Sequence, residues 1–262
     1  MTIVDLDRYA LDDPEGEAGR AMVASAQRQL ADTGACHLPG FLSAAGLARC
    51  LAEAEALMPM AHFSNRLLTP YYRPPDTSLA PDDPKNMAVV FAVGYVARDD
   101  IPPGSALRAL YEGDRFLDVL RRMLPAEPLY RYSEPRGSLN VTAMRAGDEL
   151  GWHFDACELV ASIMLRASEG GGAFEYVADI RSPDDANEAG IAAVLMGRTA
   201  TARRVDLAPG DLLLFRGRHS LHRVAPIVGG TARLVALMSF DNVEQAPPNP
   251  ANETLMRRKS ST

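Results

Sequence analysis

The chain reads as a mainly β protein with flanking helices, a two-sheet jelly roll preceded by a helical stretch. Three observations carry that reading. Before about residue 125 most apolar residues fall into segments with helical periodicity, whereas from Leu129 onward they fall into short strand-like runs. Turns rich in glycine and proline, such as Pro209-Gly210-Asp211, separate those runs. No internal repeat or low-complexity linker divides the 262 residues, so one domain is expected. Its parts are a helical N-terminal part (about 1–125), a jelly-roll core (about 129–241) and a C-terminal tail (242–262).

Residues 16–33 predict a helix: alanines favour it, Met22, Val23, Ala26 and Leu30 form one apolar stripe, and Gly34 stops it. A short strand follows at 35–38. A second helix spans 44–58, with Ser43 as N-cap and Pro59 as terminator. Residues 59–86 contain six prolines and read as one long loop. As a lid it would offer His62, Asn65, Arg66, Tyr71, Tyr72 and Arg73 to a ligand; as a surface excursion it would not. A buried strand is expected at 87–96, and two short helices begin at Ser105 and Asp114. Strands are then expected near 129–133, 138–146, 149–155, 158–165, 172–178, 202–207, 211–216, 219–225 and 232–240, with a helix from Asp185 to Met196.

Hydrophobic residues make up 47% of the chain and charged residues 23%, ordinary globular material. A net charge of −7 opposes a nucleic-acid backbone as the main partner. Three cysteines without CxxC spacing suit a reducing, cytoplasmic setting. The acidic N-terminus lacks the apolar core of a signal peptide, and no run is long enough to span a membrane. The tail run Arg257-Arg258-Lys259 is expected to be solvated.

Function concentrates in GWHFDACELV, residues 151–160. On an extended chain His153 and Asp155 point to one side, offering an imidazole and a carboxylate to the same point in space. One more histidine would complete the two-histidine, one-carboxylate face of non-haem iron(II) oxygenases. His219 and His222 are three apart, so on a strand they face opposite ways. His222, within Leu221-His222-Arg223-Val224, is the expected ligand, and His219 sits at a polar corner. His37 reads as a strand or surface residue. Such a site also needs a cation for the distal carboxylate of a 2-oxoacid, and the planar fork of Arg233 suits it.

GWHFD, GGAFEYV, PGDLLLFRGRHSLHRV and the later Arg233 together resemble the iron(II)/2-oxoglutarate-dependent oxygenases. The likeness runs from about Tyr111 to Asp241. It is closest to the bacterial group of carrier-independent amino-acid halogenases and their hydroxylase relatives. The resemblance implies a double-stranded β-helix (cupin-like) fold, Fe(II) held by His153, Asp155 and His222, and 2-oxoglutarate held by Arg233. Asn140 and Thr142 lie on a strand beside this site and are candidate contacts to the cosubstrate. Trp152, Arg73, Glu134 and Asp241 are candidate contacts to a small substrate. The chain departs from the halogenases at one place. They carry glycine where this chain has Asp155, leaving room for chloride on the iron. A carboxylate there implies hydroxylation of an unactivated C–H bond, with O2 as co-reactant and a free amino acid or similar metabolite as substrate.

Two other readings compete. A nucleic-acid demethylase would use the same chemistry, but the acidic charge opposes it. So does Ser239, where a second arginine would be expected. A non-catalytic jelly roll binding metal would leave Arg233 without a purpose. Oligomeric state is not readable from the sequence.

Overall fold

The computed structural model describes residues 2–124, 128–199 and 202–246; the basic run at 257–259 lies outside them. The N-terminal part contributes α1 (Glu17–Thr33), β1 (Ala35–Leu38), α2 (Ala44–Leu57), β2 (His62–Leu68), β3 (Val89–Ala97), α3 (Ala106–Glu112) and α4 (Asp114–Met123). After it come β4 (Tyr130–Arg131), β5 (Leu139–Met144), β6 (Leu150–His153), β7 (Leu159–Arg166), β8 (Gly170–Gly171) and β9 (Phe174–Val177). The chain continues through α5 (Glu188–Leu195), β10 (Arg203–Val205), β11 (Leu212–Phe215), β12 (Leu221–Val224), β13 (Ile227–Val228) and β14 (Arg233–Asp241). The nine strands expected after Leu129 are all present, each within a few residues of its expected bounds.

Twelve of the strands form one curled sheet in the order β1-β11-β7-β14-β5-β3-β6-β12-β9-β10, with β2 on β3 and β4 on β14, while β8 and β13 pair separately. Its two halves meet at a single bridge, Phe91 to Leu150, where β3 passes beside β6. Curling brings β6, β12 and β9 over the inner face of β7, β14 and β5, as a jelly roll requires.

Alternation divides the sheet. On β14, Leu234, Ala236, Met238 and Phe240 enter the main core, together with Leu139, Val141 and Ala143 of β5 and residues of α2, α3 and α4. Arg233, Val235, Leu237 and Ser239 face the other way, into a cavity. Helices α1 to α4 therefore cover the outside of the larger half-sheet, leaving its inside for the site. Local chemistry sets their ends: Gly34 takes φ 75° at the stop of α1, and the side chains of Ser43 and Ser105 accept N–H bonds at the starts of α2 and α3.

Residues 59–86 are not one continuous loop. His62–Leu68 forms β2, paired with β3 from His62↔Tyr95 to Leu68↔Val89. This stretch holds no proline; the prolines flank it. As an outer strand it keeps Asn65, Arg66 and Leu67 exposed, so it lacks the apolar alternation that announces a half-buried strand.

Candidate metal centre

His153 ends β6, and His222 lies opposite it on β12. The register between these strands shifts: Val224 pairs with Leu150, two residues from His222 but three from His153. The extra residue on β6 is a β-bulge, and it re-aims the side chains beyond it. Leu150 and His153 therefore both face the cavity. Trp152 turns to the opposite side and packs with Phe154, Ile191, Val194 and Leu221, with the Arg223 guanidinium over its ring at 4.9 Å. Gly151 lies in the bulge, where a Cβ would come within 2.6 Å of Val89 Cβ and 2.9 Å of the Val90 carbonyl.

His153, Asp155 and His222 converge, with one ligand atom from each lying within 4.8 Å of the others. Both imidazoles are oriented from behind. His153 Nδ1 donates to the Gly151 carbonyl at 2.7 Å, and His222 Nδ1 donates to the Ser220 carbonyl at 3.0 Å. Each Nε2 is left as the lone-pair face, the arrangement that fixes a metal-ligating tautomer. Burial, aided by the neighbouring His222, pulls His153 down to about 3, so it is neutral at neutral pH. Burial alone would raise Asp155, but His222 and His153 hold it below the usual carboxylate value. His222 Nε2 lies 3.5 Å from its Oδ2. Two imidazoles with Nε2 turned inward and one carboxylate suit a divalent first-row metal.

Asp155 itself lies just past the end of β6. Its N–H donates to the Gly217 carbonyl at 3.0 Å, tying it to the turn before β12. Gly217 packs directly against the carboxylate, and a Cβ at 217 would occupy the space that the carboxylate fills. Arg218 strengthens the tie, donating to the Ala156 carbonyl at 2.9 Å and to Asp241 at 2.6 Å.

The cavity beside the three residues has a volume of about 130 Å³. Arg233 lines it from β14 and is only 6% exposed, yet its Nε has no hydrogen-bond partner. Among the described residues no carboxylate pairs with it. Burial pulls its guanidinium down to about 10, which leaves it charged at neutral pH. A buried guanidinium without a counter-ion is costly, so the cavity is chemically incomplete until an anion enters. Asn140, whose Oδ1 is also buried without a partner, and Thr142 line the same cavity. The unpartnered guanidinium fits a carboxylate of 2-oxoglutarate, and the three converging side chains fit iron(II).

The remaining candidates lie apart from the lining. Arg73 is exposed, and Glu134 accepts the N–H groups of Arg136 and Gly137 at 3.1 and 2.5 Å. Asp241 is fully buried against Arg218. His219 is half-buried, 3.9 Å from Glu158, and His37 bonds Asp211 at 2.8 Å. Of the residues in the 59–86 stretch named for a lid, only Tyr72 reaches the cavity. Its ring packs edge-on to His153 at 5.4 Å, from a backbone at φ 58°. Sequence reasoning did not single out Gly217, Tyr95 or Tyr132; the glycine beside the histidine run was the one available clue.

Fold and site together are those of a non-haem iron, 2-oxoglutarate-dependent oxygenase. The chain belongs to the halogenase D family, whose profile, described as "HalD: Halogenase D", matches residues 19–258. A search of curated proteins finds no match. Solved structures similar in fold include a 2OG-Fe(II) oxygenase family oxidoreductase from Burkholderia pseudomallei, at 17% identity and TM-score 0.54, covering 86% of this chain and 92% of that one. Another is the epimerase SnoN from nogalamycin biosynthesis, in complex with Fe3+, alpha ketoglutarate and nogalamycin RO, at 18% identity and TM-score 0.61, with 93% and 92% covered. A third is a Pseudomonas putida prolyl-4-hydroxylase, at 16% identity and TM-score 0.52, with 84% and 98% covered. No helix among the described residues is long and apolar enough to cross a membrane.

Proposed function

We propose that this chain hydroxylates an unactivated C–H bond of a small metabolite, a free amino acid or derivative, using Fe(II), 2-oxoglutarate and O2. The observation that carries the reading is the Asp155 carboxylate, which completes a three-residue metal face beside a cavity holding a buried, unpartnered Arg233. When bound, iron and 2-oxoglutarate supply the oxidising power, with 2-oxoglutarate leaving as succinate and carbon dioxide. The chain's own residues bind and orient. His153, Asp155 and His222 hold the metal from one side, Arg233 holds the distal carboxylate of the cosubstrate, and Asn140 and Thr142 flank it. The aromatic wall of Tyr72, Phe174 and Phe215 keeps water from the site.

Within a family described by halogenation, Asp155 decides the outcome. The halogenases that the sequence resembles carry glycine at this position, which leaves a place for chloride. Here a carboxylate stands at that position, tied to the Gly217 turn, and would fill the chloride's place on a bound iron. A non-catalytic metal protein would have no use for the buried cation at Arg233. Three buried free cysteines suit a reducing cytoplasm.

The test is a mass-spectral screen of amino acids and derivatives with Fe(II), 2-oxoglutarate and chloride all present. Gain of one oxygen atom with matching succinate is expected. A chlorinated product, or no oxygen-dependent succinate at all, would refute the assignment.

A further inference from the structure

The end of the cavity away from Arg233 includes Cys157, two residues along the chain from Asp155, and it differs in chemistry from the Arg233 end. Leu237 and Ser239 continue the inward face of β14, so Ser239 stands roughly 20 Å along the strand from Arg233. Val160 pairs with Ser239 across β7, and Tyr132 N–H donates to the Ser239 carbonyl at 3.1 Å. Tyr132, Cys157, Val160 and Leu237 form one apolar cluster at this end. Among the described residues, only Asp155 and Arg233 carry charge in the cavity lining, and the proposed function engages both.

The charges nearby are held elsewhere. Asp241 faces Arg218, Glu158 faces Arg216 at 2.8 Å, and Glu134 closes its own turn. The Ser239 hydroxyl donates to the Gly137 carbonyl at 2.9 Å. An ammonium or carboxylate entering this end would therefore leave water without gaining a counter-charge.

Resting on the hydroxylase reading, we infer that the part of the substrate seated beside the metal is an uncharged, mainly apolar group. An aliphatic or aromatic amino-acid side chain, or a neutral derivative of similar shape, fits it; a side chain ending in ammonium or carboxylate does not. The substrate's own charged groups stay toward solvent at the mouth.

Three probes of matched length test this on the wild-type enzyme loaded with Fe(II) and 2-oxoglutarate: L-norleucine, L-lysine and L-2-aminoadipate. The readout is substrate-dependent succinate formation together with the gain of one oxygen atom. Norleucine should exceed both charged probes by at least about tenfold at equal subsaturating concentration. Lysine or aminoadipate matching or exceeding norleucine overturns the inference, and so does a panel in which none of the three is distinguished. An anaerobic titration of 2-oxoglutarate into the Fe(II) protein, followed by its visible absorption, separates the two levels. No band there sinks the hydroxylase reading itself, whereas a band combined with lysine preference sinks only the choice of substrate.

Discussion

Arg233 is a cation enclosed by protein, with no described anion beside it and a guanidinium Nε left unpartnered. A lysine in its place would carry the charge as a point on a flexible stem and could not fork onto a carboxylate. Arg233→Lys should weaken 2-oxoglutarate binding by about 10- to 100-fold, or about 1.4–2.8 kcal/mol, measured by anaerobic titration. A change of less than twofold would remove Arg233 from its assigned role. Burial sets its pH range as well. With the guanidinium pulled down to about 10, the charged form persists below that value. Binding should therefore hold steady through pH 8 and fall only as pH rises toward 10. At Gly217 the constraint is steric. A methyl group there would displace the Asp155 carboxylate, so Gly217→Ala should lower affinity for Co(II), an iron surrogate, by about 10- to 100-fold in calorimetry. Unaltered affinity would show that the carboxylate finds the metal from another pose.

The elements were largely legible because their causes are local. Alternation on β5, apolar runs on β7, β11 and β14, glycine and proline turns, and serine caps are all written within a few residues of the structure they produce. Residue type and spacing also pointed to His153, Asp155 and His222, although His222 reaches the other two only through the pairing of β12 with β6. What escaped depends on partners distant in sequence. The β6 bulge exists only against β12, so nothing in Gly-Trp-His-Phe-Asp reveals that Trp152 faces away from the cavity. Asp241 is taken up by Arg218 from a different strand connection, and β2 is masked by flanking prolines because an outer strand needs no apolar face. Asp211 shows the same long reach at the entry to β11. It accepts N–H bonds from Gly40 and Ala208 at 2.8 and 2.9 Å and contacts His37 at 2.8 Å, clamping β1 to the turn. Burial would raise its carboxyl, yet these donors hold it below its ordinary 3.8. Its stabilisation is thus complete above that value and lost as pH falls through the lower folded-state value. Asp211→Asn should cost about 1–3 kcal/mol in urea unfolding at pH 7, and much less near pH 3. An equal deficit at both pH values would show that shape, not charge, holds this corner.

At the scale of the whole molecule the site works as a fastener between two half-sheets. His153 and His222 come from β6 and β12 on one side, and Arg233 from β14 on the other. The halves share only the Phe91–Leu150 bridge between β3 and β6 along this seam. If His153, Asp155 and His222 hold the metal, bound metal would join the first side to the Asp155 turn, and 2-oxoglutarate anchored at Arg233 would tie that side to β14. Ligands that bind only the folded state stabilise it by about 2.7 kcal/mol at a hundredfold excess over their dissociation constant. For a chain of this size that is a rise of roughly 5–10 °C in Tm. Co(II) should raise Tm by itself, and 2-oxoglutarate should add a further rise only when metal is present. In Arg233→Gln the metal increment should survive while the 2-oxoglutarate increment disappears. If both increments vanished, Arg233 would be maintaining the metal site rather than anchoring the cosubstrate. If both survived, the oxoacid would be held by groups other than the one buried cation that faces it.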